Sequence, residues 1–132
     1  MAHAAGSFDV KITPQSDDFL KGTSMGRMSI DKQFHGDLDA TSKGQMLTGG
    51  DVAKGSAGYV AIEQFTGTLN GHSGSFILQH NGTMTRGTPQ LTVSVVPDSG
   101  TGQLAGLTGT MTIKITDGKH FYDFTYTLPE SH

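Results

Sequence analysis

The sequence predicts an all-β protein whose eight short antiparallel strands run up and down and close into a barrel. Apolar and polar residues alternate with a period of two along most of the 132 residues, and no segment shows the period of an amphipathic helix. Nineteen glycines and only four prolines, with many Thr and Ser residues, indicate tight turns between short strands. An eight-stranded sheet with one apolar face removes its exposed edges by closing on itself. A two-sheet β-sandwich is the alternative.

The strand ranges follow from where the alternation starts and stops. In chain order they are residues 7–13, 25–35, 36–48, 59–69, 72–84, 91–97, 109–116 and 119–128. Alternate apolar residues give the first two strands and the last three a common inner face: Phe8, Val10, Ile12, Met28, Ile30, Phe34, Leu91, Val93, Val95, Met111, Ile113, Ile115, Tyr122, Phe124, Tyr126 and Leu128. The third strand is weaker, because Gly36 and Gly44 interrupt it. A polar loop (14–24) joins the first two strands, and a glycine-rich connection (49–58) follows the third.

The fourth and fifth strands have the best-defined pairing, because Asn70-Gly71 lies between them. A two-residue Asn-Gly connection is the strongest short-range signal of a β-hairpin. Leu69 then pairs with His72, and each further pair follows by one step outward along both strands. This register puts two ionisable groups, Glu63 and His80, on the apolar face. They are diagonal neighbours across the hairpin, within reach of a long side chain.

Charge and composition exclude several classes of function. Nine Lys and Arg residues against twelve Asp and Glu, spread without runs, argue against nucleic acid, which needs a basic surface. No apolar stretch is long enough for a membrane span. The N-terminus lacks the basic and apolar regions of a signal peptide, so we expect a cytoplasmic protein. The length of the chain predicts a single domain over residues 1–132. The absence of cysteine excludes disulfides, thiolate metal sites and cysteine nucleophiles.

An eight-stranded meander brings the ends of alternate strands to the same mouth of the barrel. His80 lies near the end of the fifth strand, Tyr59 at the start of the fourth and His120 at the start of the eighth. Longer loops surround this mouth, whereas Asn70-Gly71 and the glycine-rich segment 99–109 close the opposite one. An open polar mouth over an apolar barrel is the usual architecture of a small-ligand pocket.

Glu63 is the main candidate for chemistry. A carboxylate in an apolar wall has its pKa raised by desolvation or lowered by a neighbour such as His80 or Lys32. It can anchor the polar end of a ligand or act as a general acid or base. The structural alternative is a satisfied pair that only stabilises the barrel. Lys32 lies on the apolar side of its strand by alternation, although a bulge near Gly36 would turn it outward. The predicted ligand contacts are Glu63, His80, Tyr59, Lys32, His120 and Tyr122.

No metal site or cofactor is predicted. A zinc or iron site from Glu63, His80 and His120 would need residues from opposite walls of the barrel, and no short metal-ligand spacing is present. Gly100-Thr-Gly102 lacks the strand-to-helix context of a phosphate-binding loop.

A series of short motifs runs from the fourth strand towards the seventh. They are Gly-Ser-Ala-Gly-Tyr-Val-Ala-Ile-Glu (55–63), Phe-Thr-Gly-Thr-Leu (65–69), Gly-Ser-Phe (74–76), Leu-Gln-His (78–80), Val-Val-Pro (95–97), Ser-Gly-Thr-Gly (99–102), Leu-Ala-Gly-Leu (104–107) and Gly109. Together they closely resemble a bacterial family of uncharacterised proteins, the domain-of-unknown-function 3224 family. The resemblance implies an allene oxide cyclase-like barrel and no established activity.

A weaker similarity connects the glycine-rich segment with two further families. Gly100-Thr-Gly102, Leu104, Gly106 and Gly109 resemble the turn before a late strand in allene oxide cyclases and dirigent proteins, which are oligomers in plants. These positions are turn glycines and one apolar plug. The resemblance therefore supports the fold, and the reactions of those relatives do not transfer to this chain.

The sequence thus predicts a barrel that binds a small, largely apolar molecule at its open mouth, with Glu63 and His80 as polar contacts. One alternative is an isomerase- or cyclase-like enzyme that uses Glu63 as general acid or base. The other is a structural or oligomeric barrel with a satisfied Glu63–His80 pair and no ligand. Ile62 and Ile77 are expected to face each other on the otherwise polar outer side, and Val60 and Val96 extend this apolar patch. This apolar patch favours a homo-oligomer.

Overall fold

The chain forms a closed barrel of eight antiparallel strands in meander order, which confirms the predicted fold over the sandwich. The computed structural model describes residues 1–15 and 22–129. The strands are β1 (Ala2–Pro14), β2 (Met25–Gly36), β3 (Leu38–Asp51), β4 (Ser56–Leu69), β5 (His72–Thr85), β6 (Thr88–Val95), β7 (Thr108–Thr116) and β8 (Lys119–Thr127). Two single-turn 3-10 helices, Val52–Lys54 and Gly102–Leu104, lie in connections. Among the described residues there is no helix long and apolar enough to span a membrane.

Several predicted strand ends were wrong, because pairing with a neighbour extends the strands beyond their alternation. β1 begins at Ala2, which pairs with Tyr126 of β8 where the barrel closes. The β3–β4 ladder continues to the pair Asp51 and Ser56 and runs through Gly44 without a break, so the connection shrinks to residues 52–55. A tight turn at Arg86-Gly87, with φ of 45° and 86°, starts β6 at Thr88. Part of the predicted 14–24 loop, residues 16–21, lies outside the described residues.

The Asn70-Gly71 turn sets the register that the sequence predicts. Both residues have positive φ, 48° and 84°, as the favoured two-residue hairpin turn requires. Leu69 pairs with His72, and the ladder then continues without a bulge along β4 and β5. The Asn70 side-chain amide also donates a hydrogen bond of 2.6 Å to the Tyr126 hydroxyl, which ties this turn to β8 at the closed mouth.

Aromatic rings fill the half of the barrel next to the closed mouth. Phe65 stacks on Phe76 with ring centroids 4.8 Å apart and meets Phe34 at 4.9 Å. Burial of each such side chain contributes about 1.5–3 kcal/mol, and favourable ring pairs add about 0.5–1.5 kcal/mol. Leu104 and Leu107, from the segment between β6 and β7, are buried beneath the rings and plug this end. The interior of the closed half is therefore a packed aromatic and aliphatic core.

The outer surface carries an apolar patch, but its predicted geometry was wrong in one respect. Val60 and Ile62 are 50% and 48% exposed. Ile62 pairs with Gln79 rather than with Ile77, so the two isoleucines are diagonal neighbours and do not face each other. Self-association through this patch stays a prediction.

Candidate functional site

Four polar side chains from four neighbouring strands meet inside the barrel, between the aromatic core and the open mouth. Glu63 of β4 is at their centre and is 0% exposed. Its Oε1 accepts a hydrogen bond from Nζ of Lys32 on β2 at 2.8 Å and lies 3.5 Å from Oγ of Ser42 on β3. Its Oε2 lies 2.6 Å from Nε2 of His80 on β5. Both carboxylate oxygens are therefore engaged by the protein.

Two glycines that face the interior make room for this arrangement. Gly44 pairs with Glu63, and a Cβ at position 44 would lie 2.9 Å from the Cα and 3.0 Å from the Cγ of Glu63. Gly82 pairs with Tyr59, and a Cβ there would lie 2.5 Å from Cε1 of the Tyr59 ring. Ordinary van der Waals contacts of carbon atoms are longer than this, at about 3.5–4.0 Å. A side chain at position 82 would displace Tyr59, and one at position 44 would collide with the Ile62 carbonyl of the neighbouring strand as well as with Glu63.

The hydrogen bonds form a chain that reaches the open mouth. When Glu63 is ionised, the Nε2 of His80 carries the hydrogen that it donates to Oε2. In the neutral ring, Nδ1 is then an acceptor, and the hydroxyl of the half-buried Tyr59 lies 3.2 Å from it. Every buried side-chain nitrogen and oxygen in the described part of the chain has a hydrogen-bond partner. The network, which we call the Lys32–Glu63–His80–Tyr59 chain, is thus internally satisfied.

Electrostatics keep the central carboxyl ionised and the phenol protonated. Burial on its own raises the pKa of Glu63, but the hydrogen bond from His80 and the charge of Lys32 outweigh it and hold this pKa below its ordinary value. Burial, followed by the negative charge of Glu63, raises the pKa of Tyr59. At neutral pH the hydrogen-bond network therefore has a protonated Tyr59 hydroxyl at the mouth and an ionised Glu63 carboxylate beneath it.

Two cavities open beside the network at this mouth. The larger has a volume of about 490 Å³ and is lined mainly by apolar side chains, among them Met46, Ala57, Met84, Leu91 and Ile115. The smaller, of about 140 Å³, is lined by Lys32, His80 and His120 together with apolar residues of β1, β2 and β7. Tyr59 and Met46 line both cavities, so the two spaces adjoin at these side chains.

The structure brings five of the six predicted ligand contacts together and places Tyr122 elsewhere. His120 lines the smaller cavity, with its ring 5.1 Å from that of Phe8. The Tyr122 hydroxyl donates to the His35 carbonyl at 2.8 Å and accepts from the Leu38 amide at 2.9 Å. It therefore holds the β2–β3 turn at the closed mouth.

The alternation of inward and outward side chains is enough to place Lys32 on the inner face of β2. The same alternation also places on the inner face residues that were not among the predicted ligand contacts. The ladders of β2 with both neighbours run through Lys32 without a bulge, so its side chain points inward. Ser42 and Met46 lie on the inner face of β3, where alternation with Ala40 would have found them. Their strand looked weak because Gly44 interrupts the apolar pattern.

The carboxylate of Glu63 already has protein partners at both of its oxygens. Within residues 1–15 and 22–129, no three His, Cys, Asp or Glu side chains come together as metal ligands. A metal at Glu63 would also have to displace both Lys32 and His80 from its oxygens.

Comparisons with known proteins identify a family and a fold but no ligand. The family model described as "Protein of unknown function (DUF3224)" matches residues 4–126. The crystal structure of a protein with unknown function from the DUF3224 family of Shewanella oneidensis MR-1 is 50% identical in sequence, with a TM-score of 0.91. That alignment covers 99% of each chain. No curated protein matches the sequence.

Proposed function

The chain belongs to the DUF3224 family, whose model is described as a protein of unknown function, and from its geometry we propose that it binds a small, largely apolar molecule at the open mouth. The body of this molecule occupies the larger cavity, and Tyr59, His80 and Lys32 offer polar contacts at the inner end. The observation that carries the proposal is an apolar cavity of about 490 Å³ that adjoins the buried polar side chains of Lys32 and His80. Pockets for small molecules have volumes of about 300–1,000 Å³ and combine apolar walls with a few polar groups in this way.

Exposed apolar side chains at the mouth support the same proposal. Met84, Leu91 and Ile115 all line the larger cavity and all remain exposed, Ile115 to 64%. A ligand in the cavity removes part of this surface from water, which contributes about 25 cal/mol for each Å² of apolar area buried. In the closed half, by contrast, stacked aromatic rings fill the interior of the barrel.

Direct acid–base catalysis by Glu63 has less support than binding. A general acid or base has to lie within hydrogen-bond reach of the proton that it transfers. Glu63 lines neither cavity, and its oxygens already contact Lys32 and His80. We therefore assign Glu63 the role of a positioning residue, which orients Lys32 and His80 towards the cavity.

We expect Ala57→Trp to weaken binding by at least about tenfold, or about 1.4 kcal/mol. Ala57 is exposed and lines the larger cavity, so an indole at this position fills the space without entering the core. Fluorescence titration with N-phenyl-1-naphthylamine, a neutral apolar fluorophore, measures the affinity of the wild type and the variant.

The matched control is Val60→Trp, which puts the same side chain on the outer face of the same strand. Val60 is 50% exposed and lines neither cavity, so this variant should bind the fluorophore as the wild type does. Circular dichroism checks that both variants fold. A wild type that does not bind, or equal losses in the two variants, would contradict the proposed site.

A further inference from the structure

We propose that the bound molecule carries an acidic head group, a carboxylate, which lies in the smaller cavity against Lys32, Tyr59 and His120. This inference rests on the proposed function and adds the chemical class of the ligand to it. The apolar body of the molecule would extend past Tyr59 and Met46 into the larger cavity, since these two side chains line both spaces.

The polar groups around the smaller cavity favour an acceptor. They are the Lys32 ammonium, the Tyr59 hydroxyl and the rings of His80 and His120. No Asp or Glu is among the residues that line this space. The Lys32 ammonium can only donate, and the His120 ring can donate, whereas the Tyr59 hydroxyl already directs its single hydrogen to Nδ1 of His80. A head group with several lone pairs and no hydrogen therefore fits this lining best.

Lys32 is the strongest of these donors. Its side chain is only 8% exposed, and its Nζ lies 2.8 Å from Glu63 and 4.9 Å from the centre of the Phe8 ring. An ammonium group has three hydrogens, and the ion pair with Glu63 uses one of them. Among the described residues the structure shows no second acceptor for it. Hydrogen bonds between an ammonium and a carboxylate are about twice as strong as those between neutral groups.

The charges inside the barrel also discriminate between head groups. Lys32 and Glu63 balance each other, and the other titratable groups that face His80 are Tyr59 and His120. An incoming carboxylate adds one negative charge, which the Lys32 ammonium attracts directly. An incoming ammonium would meet Lys32 as a like charge in a poorly solvated space, which is unfavourable. The expected order of affinity is anion, then neutral molecule, then cation.

Three probes with alkyl chains of nearly equal length test this order on the wild-type protein. They are decanoate, 1-decanol and decyltrimethylammonium, each used at neutral pH to displace bound N-phenyl-1-naphthylamine. Decanoate should bind at least about tenfold more tightly than decanol, or about 1.4 kcal/mol, and the ammonium should bind most weakly. Equal affinities of decanoate and decanol would overturn the acidic head group and leave the proposed function standing. Failure of the fluorophore and of all three probes to bind would contradict the proposed function itself.

The variant Lys32→Met tests whether Lys32 causes the preference for decanoate over decanol. Methionine keeps the apolar stem but removes the charge, so decanoate should lose its advantage over decanol while decanol still binds. The control, Lys43→Met, removes an exposed lysine from the neighbouring strand and should preserve the preference. A preference that persists in folded Lys32→Met would overturn the assignment. If Lys32→Met does not fold, the ranking of the three probes on the wild type still decides the proposal.

Discussion

Replacing Glu63 by Gln is expected to lower the free energy of unfolding by about 3–5 kcal/mol. The amide has nearly the shape of the carboxylate but no charge, so the Lys32 ammonium, in a side chain that is 8% exposed, loses its partner 2.8 Å away. Breaking a buried pair by removing one partner is costly because the other charge stays buried without compensation. Urea denaturation followed by circular dichroism measures the loss.

A double-variant cycle separates the charge effect from general disruption. The double variant Glu63→Gln with Lys32→Met removes both charges, so it should recover most of the stability that Glu63→Gln loses. Lys43→Met, on the exposed face, should change stability by no more than about 0.5 kcal/mol. A Glu63→Gln protein as stable as the wild type would show that the ion pair does not contribute to the stability of the barrel by the predicted amount.

The same contribution should disappear in acid. The pKa of Glu63 in the folded protein lies below its ordinary value of 4.5, so the unfolded chain takes up this proton first as the pH falls. The stabilisation is complete above about pH 4.5 and is lost as the pH drops through the folded pKa. The difference in the free energy of unfolding between the wild type and Glu63→Gln should therefore become smaller as the pH falls through this range. A difference that stays constant as the pH falls would exclude the ionised carboxylate as its source.

Phe65→Ala is expected to lower the free energy of unfolding by a similar amount, about 3–5 kcal/mol. The protein molecules that remain folded should bind the ligand as tightly as the wild type does. Phe65 is fully buried between Phe34 and Phe76, and the cavity that the substitution leaves lies in the closed half. Urea unfolding and fluorophore titration measure the two properties on the same protein.

Met84→Ala provides the opposite case. Met84 is exposed at the mouth and lines the larger cavity, so its truncation should weaken fluorophore binding with little effect on stability. A folded Phe65→Ala variant that loses as much affinity as Met84→Ala would show that scaffold and site are not separate.

Local signals in the sequence predict the central part of the site. The Asn70-Gly71 turn determines the register of β4 and β5, and this register alone makes Glu63 and His80 diagonal neighbours on the inner face. Alternation in β2 adds Lys32. These predictions succeed because a two-residue turn and a strand period act over a few residues, where the backbone leaves few alternatives.

Features that depend on closure of the barrel could not be predicted in the same way. The position of Tyr122 depends on how β8 meets β1 and on the β2–β3 turn, which are far apart in sequence. The division into a packed half and an open half depends on which side chains meet across the barrel, which the stagger of all eight strands decides. The sequence accordingly did not reveal that Met46, Leu91 and Ile115 would line a cavity.

Methyl-resolved NMR during a titration with N-phenyl-1-naphthylamine tests most directly whether the open mouth binds an apolar molecule. With isotope labels on the Met and Ile methyl groups, the resonances of Met46, Met84 and Ile115 should shift, because these side chains line the larger cavity. Those of Met111, in the buried core, and Ile62, on the outer face, should stay in place. Shifts at Ile62 with none at Met46, Met84 and Ile115 would contradict a binding site inside the barrel.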